Sequence, residues 1–494
     1  MSYTKFAVKS TAIILVVSIF AAFMGYLVRV ILARNLSVEE FGLFYAVFAF
    51  LGLLGIFKTL GFDRALAKFI PEFIHKEKND FIKSSVIYAA FIQFATNSII
   101  IIVVYLLSNF LAINFFNDIK AIIVLRLMAI AFFIDSFMLI LKFAFQGFKQ
   151  MLYFSFIDLI RMLLIVIITF VGLKLNYGLL SPIIAYIAVP LILLFIFGWL
   201  FVHDVFPEFF KARFIINKAL IKKISHYSIF IMAITVGTMV LGYTDMIMLT
   251  YFLDLRSVAL YSVALPTAKI LFYFPIAIAA VLLPLASELW SKKRKEILRE
   301  GLEALYKYSI VIILPLVLII FSFADILINI FFGKDYISAT NATKILSIGM
   351  IFATLNSVSG NFFSGIGKPQ ITSKIVYIAA IFNFISNLIF IPIMGINGAA
   401  ITTTVSYFIM AIIGLINIKK FIIIRFPVKV WIKTLIAGIF FVFIIGVLKK
   451  LIILNIWLET AIVLIIAGIT YVVFLFLLNA INIRELKDLY KRLI

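Results

Sequence analysis

The sequence runs to 494 residues, 65% of them hydrophobic and only 13% charged, with a formal net charge of +22 and a mean hydropathy of +1.22. A soluble surface takes roughly a quarter charged residues, so these proportions exclude a water-soluble globule. The basic residues cluster between long apolar runs, where they meet anionic headgroups rather than nucleic acid, and the absence of cysteine excludes disulfides and thiolate metal sites.

An apolar helix of about 20 residues crosses the ~30 Å hydrocarbon layer. In lipid, only helices and closed barrels satisfy their own backbone, and these runs are too uniformly apolar for alternating barrel strands. In chain order they predict about fourteen helical spans, near 10–33, 41–60, 82–107, 119–146, 150–173, 178–201, 224–250, 257–283, 305–324, 343–364, 370–392, 397–417, 431–448 and 456–478. Lys5 and Lys9 ahead of the first run resemble the start of a signal peptide. The run continues to about Leu32 without a small-residue cleavage site, so it reads as a span. Pro190, Pro275 and Pro315 fall inside spans, which is tolerated where neighbours re-satisfy the freed backbone groups.

About thirty of the 44 Lys and Arg lie in the N-terminus, the loops after even-numbered spans and the C-terminus, against about eight on the opposite side. Both termini are therefore expected to be cytoplasmic. The strongest markers are Ser291 to Lys295 and the loop from Lys211 to Lys223, read as topology determinants at the headgroups, with a protein-partner site as the alternative.

Asn35 to Val47 lies over Phe252 to Ala264, Gly147 over Gly365, and Gly178 over Gly398, all at an offset of about 217 to 220 residues. An offset of six spans makes the halves parallel repeats. The expected architecture is an all-α membrane protein of two pseudo-symmetric six-helix lobes, 1–205 and 206–425, with a two-helix appendage and cytoplasmic tail over 426–494. Substrate sites are usually built in the cleft between such lobes.

Ionisable groups inside spans are costly and default to functional candidates. Here they are Arg29, Lys58, Arg126, Lys142, Arg161 and Lys269 against Asp135, Asp158 and Asp245. The basic excess suits an anionic phosphate, which guanidinium groups bind by forked hydrogen bonds and ammonium groups as compact charges. Lys269, deep in span 8, is the leading substrate contact, with a structural ion pair as its alternative. Arg29, Lys58 and Arg126 complete the expected cleft cations, although Lys58, near an interface, also suits snorkelling. The repeat offset takes Arg29 almost onto Asp245, which suggests a gate pair; the plainer reading has Arg29 snorkel and Asp245 cap a loop. Asp135, Lys142, Asp158 and Arg161 read as a network tying spans 4 and 5, or as a carboxylate site for H+ or Na+ coupling. His75, His203 and His226 are too far apart for a metal cluster, and SGIGKP lacks the glycine and preceding strand of a phosphate-binding loop. Neither a metal nor a cofactor is expected.

ARNLSVEEFGLFYAV, LGFDRALAKFIPE, QGFKQ, VALYSVALPTAK and SGIGKP followed by IPIMGINGAAITTTVS stand in an order and spacing that resemble the polysaccharide flippases of the multidrug/oligosaccharidyl-lipid/polysaccharide transporter superfamily, over essentially the full length. The resemblance implies a plasma-membrane flippase. It would move a polyprenyl-phosphate- or pyrophosphate-linked oligosaccharide to the outer leaflet, with basic residues on spans 1, 2 and 8 and membrane lipids as further partners. A monomer is expected. The nearest alternative, a drug or cation antiporter of the same superfamily, would favour acidic residues in the cleft. A membrane glycosyltransferase or glycan ligase would need an outer domain bearing carboxylates or histidines, whereas the predicted outer loops are short. A pore or scaffold is the remaining class.

Overall fold

A computed structural model describes residues 3–451 and 455–481; the basic tail from Asn482, one of the expected orientation markers, lies outside them. Among these residues sixteen α-helices follow one another: α1 (Tyr3–Asn35), α2 (Val38–Thr59), α3 (Phe62–His75), α4 (Asn79–Asn114), α5 (Ala121–Gly147), α6 (Met151–Lys174), α7 (Leu180–Leu200), α8 (Lys218–Phe252), α9 (Leu255–Lys269), α10 (Tyr273–Ser291), α11 (Lys295–Phe331), α12 (Thr340–Gly365), α13 (Pro369–Met394), α14 (Ile396–Ile418), α15 (Val428–Leu451) and α16 (Ile456–Leu477). Fourteen segments among the described residues are long and apolar enough to cross a membrane, and the chain is a multi-pass membrane protein. Two features depart from the predicted spans. The loop after span 2 is the short amphipathic helix α3, and span 8 breaks after Lys269 into a 3-10 turn over Ile270–Phe272.

By proximity the chain divides into two compact units. The first comprises Met1–Val263, Phe331–Tyr336 and Ala380–Ala399; the second comprises Ala264–Ile330, Ile337–Ala379 and Ala400–Ile494. This grouping follows packing and the expected lobes follow the repeat, so the two divisions differ. In the first unit α1 packs on α6, α4 and α7 on α5, and α2 on α8. In the second, α10 packs on α12, and α15 and α16 bury Phe441, Ile445, Val463 and Tyr471 with Val311 and Phe323 of α11.

The repeat has a packing cause. A Cβ on Gly147 would lie 2.9 Å from Ile70 Cβ and 3.1 Å from Leu66 O of α3; one on Gly365 would lie 2.7 Å from Ala286 Cβ and 2.9 Å from Leu283 O of α10. Each glycine lets a second helix, the amphipathic α3 or the apolar α10, lie directly on a spanning one. The third landmark needs correction. Gly178 and Gly395 share the left-handed conformation (φ +51° and +58°), whereas Gly398 packs on Phe390 O as Ser181 packs on Gly172. Gly395 is thus the counterpart of Gly178, and Gly398 that of Ser181.

The proline inside α11 finds a substitute donor. Pro315 has no N–H for Val311 O four residues back, and Tyr471 of α16 donates its hydroxyl to that carbonyl at 3.0 Å. At the kink in α11, where Phe323 has φ −121° and ψ 17°, Lys449 of α15 donates to Ser322 O at 2.7 Å.

Candidate functional site

Within the first unit a cavity of about 370 Å³ is walled by α2, α3, α5, α6, α7 and α8. The sequence dictates each wall. From α5 come Ala131, Phe132, Asp135, Leu139, Lys142 and Phe143, whose spacing keeps them on one helical face. From α8 come Ile231, Thr235, Met239 and Tyr243, one per turn. On α2, Gly52 has no side chain, and the Tyr243 ring lies where a Cβ would stand, 2.6 Å from its nearest carbon. The chain leaves α2 through Leu60 and Gly61 in the left-handed region, φ 47° and 78°. A Cβ on Gly61 would sit 2.5 Å from Ser228 O. That sharp exit sets Asp63 and Arg64, in the first turn of α3, into the cavity wall.

Four cations line the cavity: Lys58, Arg64, Lys142 and Arg161. Two carboxylates, Asp63 and Asp135, face them. Lys58 donates to Asp135 Oδ2 at 2.5 Å and lies 4.7 Å above the Phe132 ring. Arg161 Nη2 stands 3.3 Å from Asp135 Oδ1. That approach lacks hydrogen-bond geometry, so Asp135 Oδ1 and Arg161 Nε are both buried without a hydrogen-bond partner. Lys142 pairs with Asp158 of α6 at 2.5 Å. Asp63 Oδ1 is likewise buried without a partner. At the end of α2, Asn97 of α4 donates to Lys58 O at 2.9 Å, which fixes the last turn from which the Lys58 side chain springs.

The structure regroups the residues singled out from the sequence. Lys58 is 7% exposed and ion-paired, its ammonium held in the cavity wall on Asp135 rather than reaching outward as snorkelling requires. Lys58 joins Asp135, Lys142 and Arg161 in one wall, where the sequence reading had placed it in a separate set. Arg126 is turned away: it donates to Ser108 Oγ at 2.9 Å and stacks 4.0 Å above Tyr105, both on α4, because it sits near the start of α5, far along the helix from Lys142. Arg29 donates to Gly25 O at 3.3 Å and lies 4.9 Å above the Tyr45 ring, with its Nε buried and unpartnered. Asp245 accepts hydrogen bonds from Tyr261 and from Asn387 at 2.7 Å. The contacts described for Arg29 and for Asp245 are thus with different neighbours. Lys269 ends α9 and belongs to the second unit. Sequence reasoning passed over Asp63, Arg64, Tyr186 and Tyr243; the adjacent Asp63 and Arg64 within LGFDRALAKFIPE were the available signal for two of them.

The sequence profile described as polysaccharide biosynthesis protein matches residues 7–290, and that of the MatE family matches residues 229–389. An uncharacterized membrane protein of Methanocaldococcus jannaschii is 36% identical over 452 residues, 89% of each chain. A probable low-salt glycan biosynthesis flippase of Haloferax volcanii is 24% identical over 220 residues, 44% of this chain and 45% of that one. Among solved structures, the lipid II flippase MurJ in an inward closed conformation superposes with a TM-score of 0.71 at 17% identity, over 93% of this chain and 97% of the other, which shows a shared fold. A match covering more than half of the sequence, a long relative and that fold agree: the chain belongs to the polysaccharide biosynthesis protein family, in the superfamily of multidrug, oligosaccharidyl-lipid and polysaccharide transporters and flippases.

Proposed function

We propose that the protein flips a polyprenyl-phosphate- or pyrophosphate-linked oligosaccharide from the cytoplasmic to the outer leaflet of the plasma membrane, for surface glycan assembly. The observation that carries this reading is the membrane-embedded cavity with four cations and two carboxylates in its wall, because buried charge of one sign needs a counter-charge from its cargo. The flippase names of the Haloferax volcanii relative and of the MurJ structure support it. The headgroup phosphate meets Lys58, Arg161 and Arg64, aided by Arg29, while the isoprenoid tail stays in the bilayer. Alternating access between repeat halves carries the headgroup across, with both termini cytoplasmic. The protein acts as a transporter and not as an enzyme, and an H+ or Na+ gradient is a fitting drive.

The MatE match over 229–389 and the two cavity carboxylates favour cation export as the second reading. Reconstituted vesicles loaded with a fluorescent lipid-linked oligosaccharide, or with an organic cation, separate the two. Movement of the lipid-linked glycan that K58Q and R161Q abolish is the expected result. Movement of the cation alone overturns the proposal.

A further inference from the structure

We propose that Asp135 is an internal stand-in for the cargo's phosphate, a carboxylate that occupies the cavity's cations at rest and is displaced when the anionic headgroup enters. This inference rests on the function proposed above and assigns the residue that masks its site.

The argument starts from how incompletely Asp135 fills its place. It draws on two cations from different helices, Lys58 of α2 and Arg161 of α6. Its Oδ2 accepts a hydrogen bond from the lysine. Its Oδ1 stands 3.3 Å from Arg161 Nη2 yet forms no hydrogen bond, and Arg161 Nε is buried with nothing to donate to. A guanidinium is built to grip two oxygens at once, and a carboxylate already tied to Lys58 cannot turn its plane to offer both. The pyrophosphate of a lipid-linked glycan carries two non-bridging oxygens on each of its two phosphorus atoms, enough to meet an ammonium on one side and both prongs of a guanidinium on the other. Asp135 supplies one negative charge to two cations, so the triad keeps one positive charge open to the cavity. The neighbouring Lys142 is already balanced by Asp158.

Masking has a physical use. Two bare cations in a low-dielectric wall repel each other and bind any small anion that arrives. A covalently attached carboxylate suppresses both effects, and only a ligand with more charge and better geometry displaces it. Displacement also frees a buried carboxylate, which returns to the cations once the headgroup leaves and so favours release.

The test measures binding of farnesyl pyrophosphate and of inorganic pyrophosphate to the full-length protein in detergent, by calorimetric titration. A like-sign charge removed from beside the site should tighten binding of both probes to D135N by about tenfold or more, while D135E keeps wild-type affinity and K58Q and R161Q weaken it. A D135N protein that binds both probes more weakly, as K58Q does, makes Asp135 a structural support and overturns the inference. Should D135N fail to fold, the comparison moves to K58M against K58M/D135N, in which the second substitution must still tighten binding; equal or weaker binding again overturns it. Tighter binding of inorganic pyrophosphate alone, with the lipid probe ignored by every variant, upholds the masking role and sinks the lipid-linked cargo. The reverse failure, lipid binding by the wild type and weaker binding by D135N, leaves the cargo standing without the mask.

Discussion

Gly42 of α2 has no room for a methyl group. An ideal Cβ there would lie 1.9 Å from Leu255 O, 2.7 Å from the Leu255 carbonyl carbon and 3.3 Å from Ala259 Cβ. Carbon and carbonyl oxygen meet no closer than about 3.3 Å, so the substitution Gly42→Ala must drive two backbones apart by about 1.4 Å. Neither is a side chain that can swing aside. Overpacking of this kind costs about 1–3 kcal/mol. If α2 and α9 separate during the transport cycle, that cost falls on the packed arrangement and shifts the populations about 5- to 150-fold towards the separated one. The natural sequence contains no cysteine, so a reporter pair can be placed without background. Arg256 Nη1 stands 4.0 Å from Glu39 Oε1 beside this contact, and E39C/R256C should be joined efficiently by a short bis-maleimide. Adding G42A should slow that cross-link in proportion to the lost population and lower the melting temperature. Unchanged cross-linking together with an unchanged melting temperature would refute the close approach and the argument built on it.

Further outcomes follow from the same geometry. K58M should destabilise the protein by about 3–5 kcal/mol, by leaving Asp135 buried without its nearer cation, and K58M/D135L should regain most of that loss; denaturation in a fixed detergent measures both. G147A and G365A should each cost about 1–3 kcal/mol by pushing α3 off α5 and α10 off α12, and comparable losses in melting temperature would support their equivalence in the repeat. R126A should lower thermal stability through its lost α4 contacts and leave pyrophosphate affinity as it was; a fall in affinity would return Arg126 to the cavity. Y471F should cost about 1–3 kcal/mol by stranding the Val311 carbonyl, read from the same denaturation experiment.

The spans were legible because hydrocarbon imposes a length and a composition on every crossing helix. The repeat was legible at Gly147 and Gly365, where close packing admits no other residue. The match of Gly178 with Gly398 went astray because sequence alone shows that a glycine is present and not which constraint requires it; one glycine serves a left-handed turn and the other a close contact. The break after Lys269 was hidden for a similar reason, since a 3-10 turn within an apolar run keeps the run's composition. Membership of the cavity wall was only partly legible. Helical spacing places Asp135 and Lys142 on one face, but nothing local reveals that Lys58, 77 residues earlier, closes on Asp135. Arg126 and Lys142 look alike as cations in one span, and only their distance along α5 sends them to different neighbours.

The two hydrogen bonds that α15 and α16 lend to α11 bear on the order in which the protein matures. Val311 and Ser322 enter the membrane with α11, more than a hundred residues before Lys449 and Tyr471 are synthesised. Until α15 and α16 insert, those carbonyls have no permanent donor, so α11 can settle into its bent shape only after that pair has entered. A chain cut before Val428 would keep both repeat halves and still lack the groups that let α11 hold its bend in hydrocarbon.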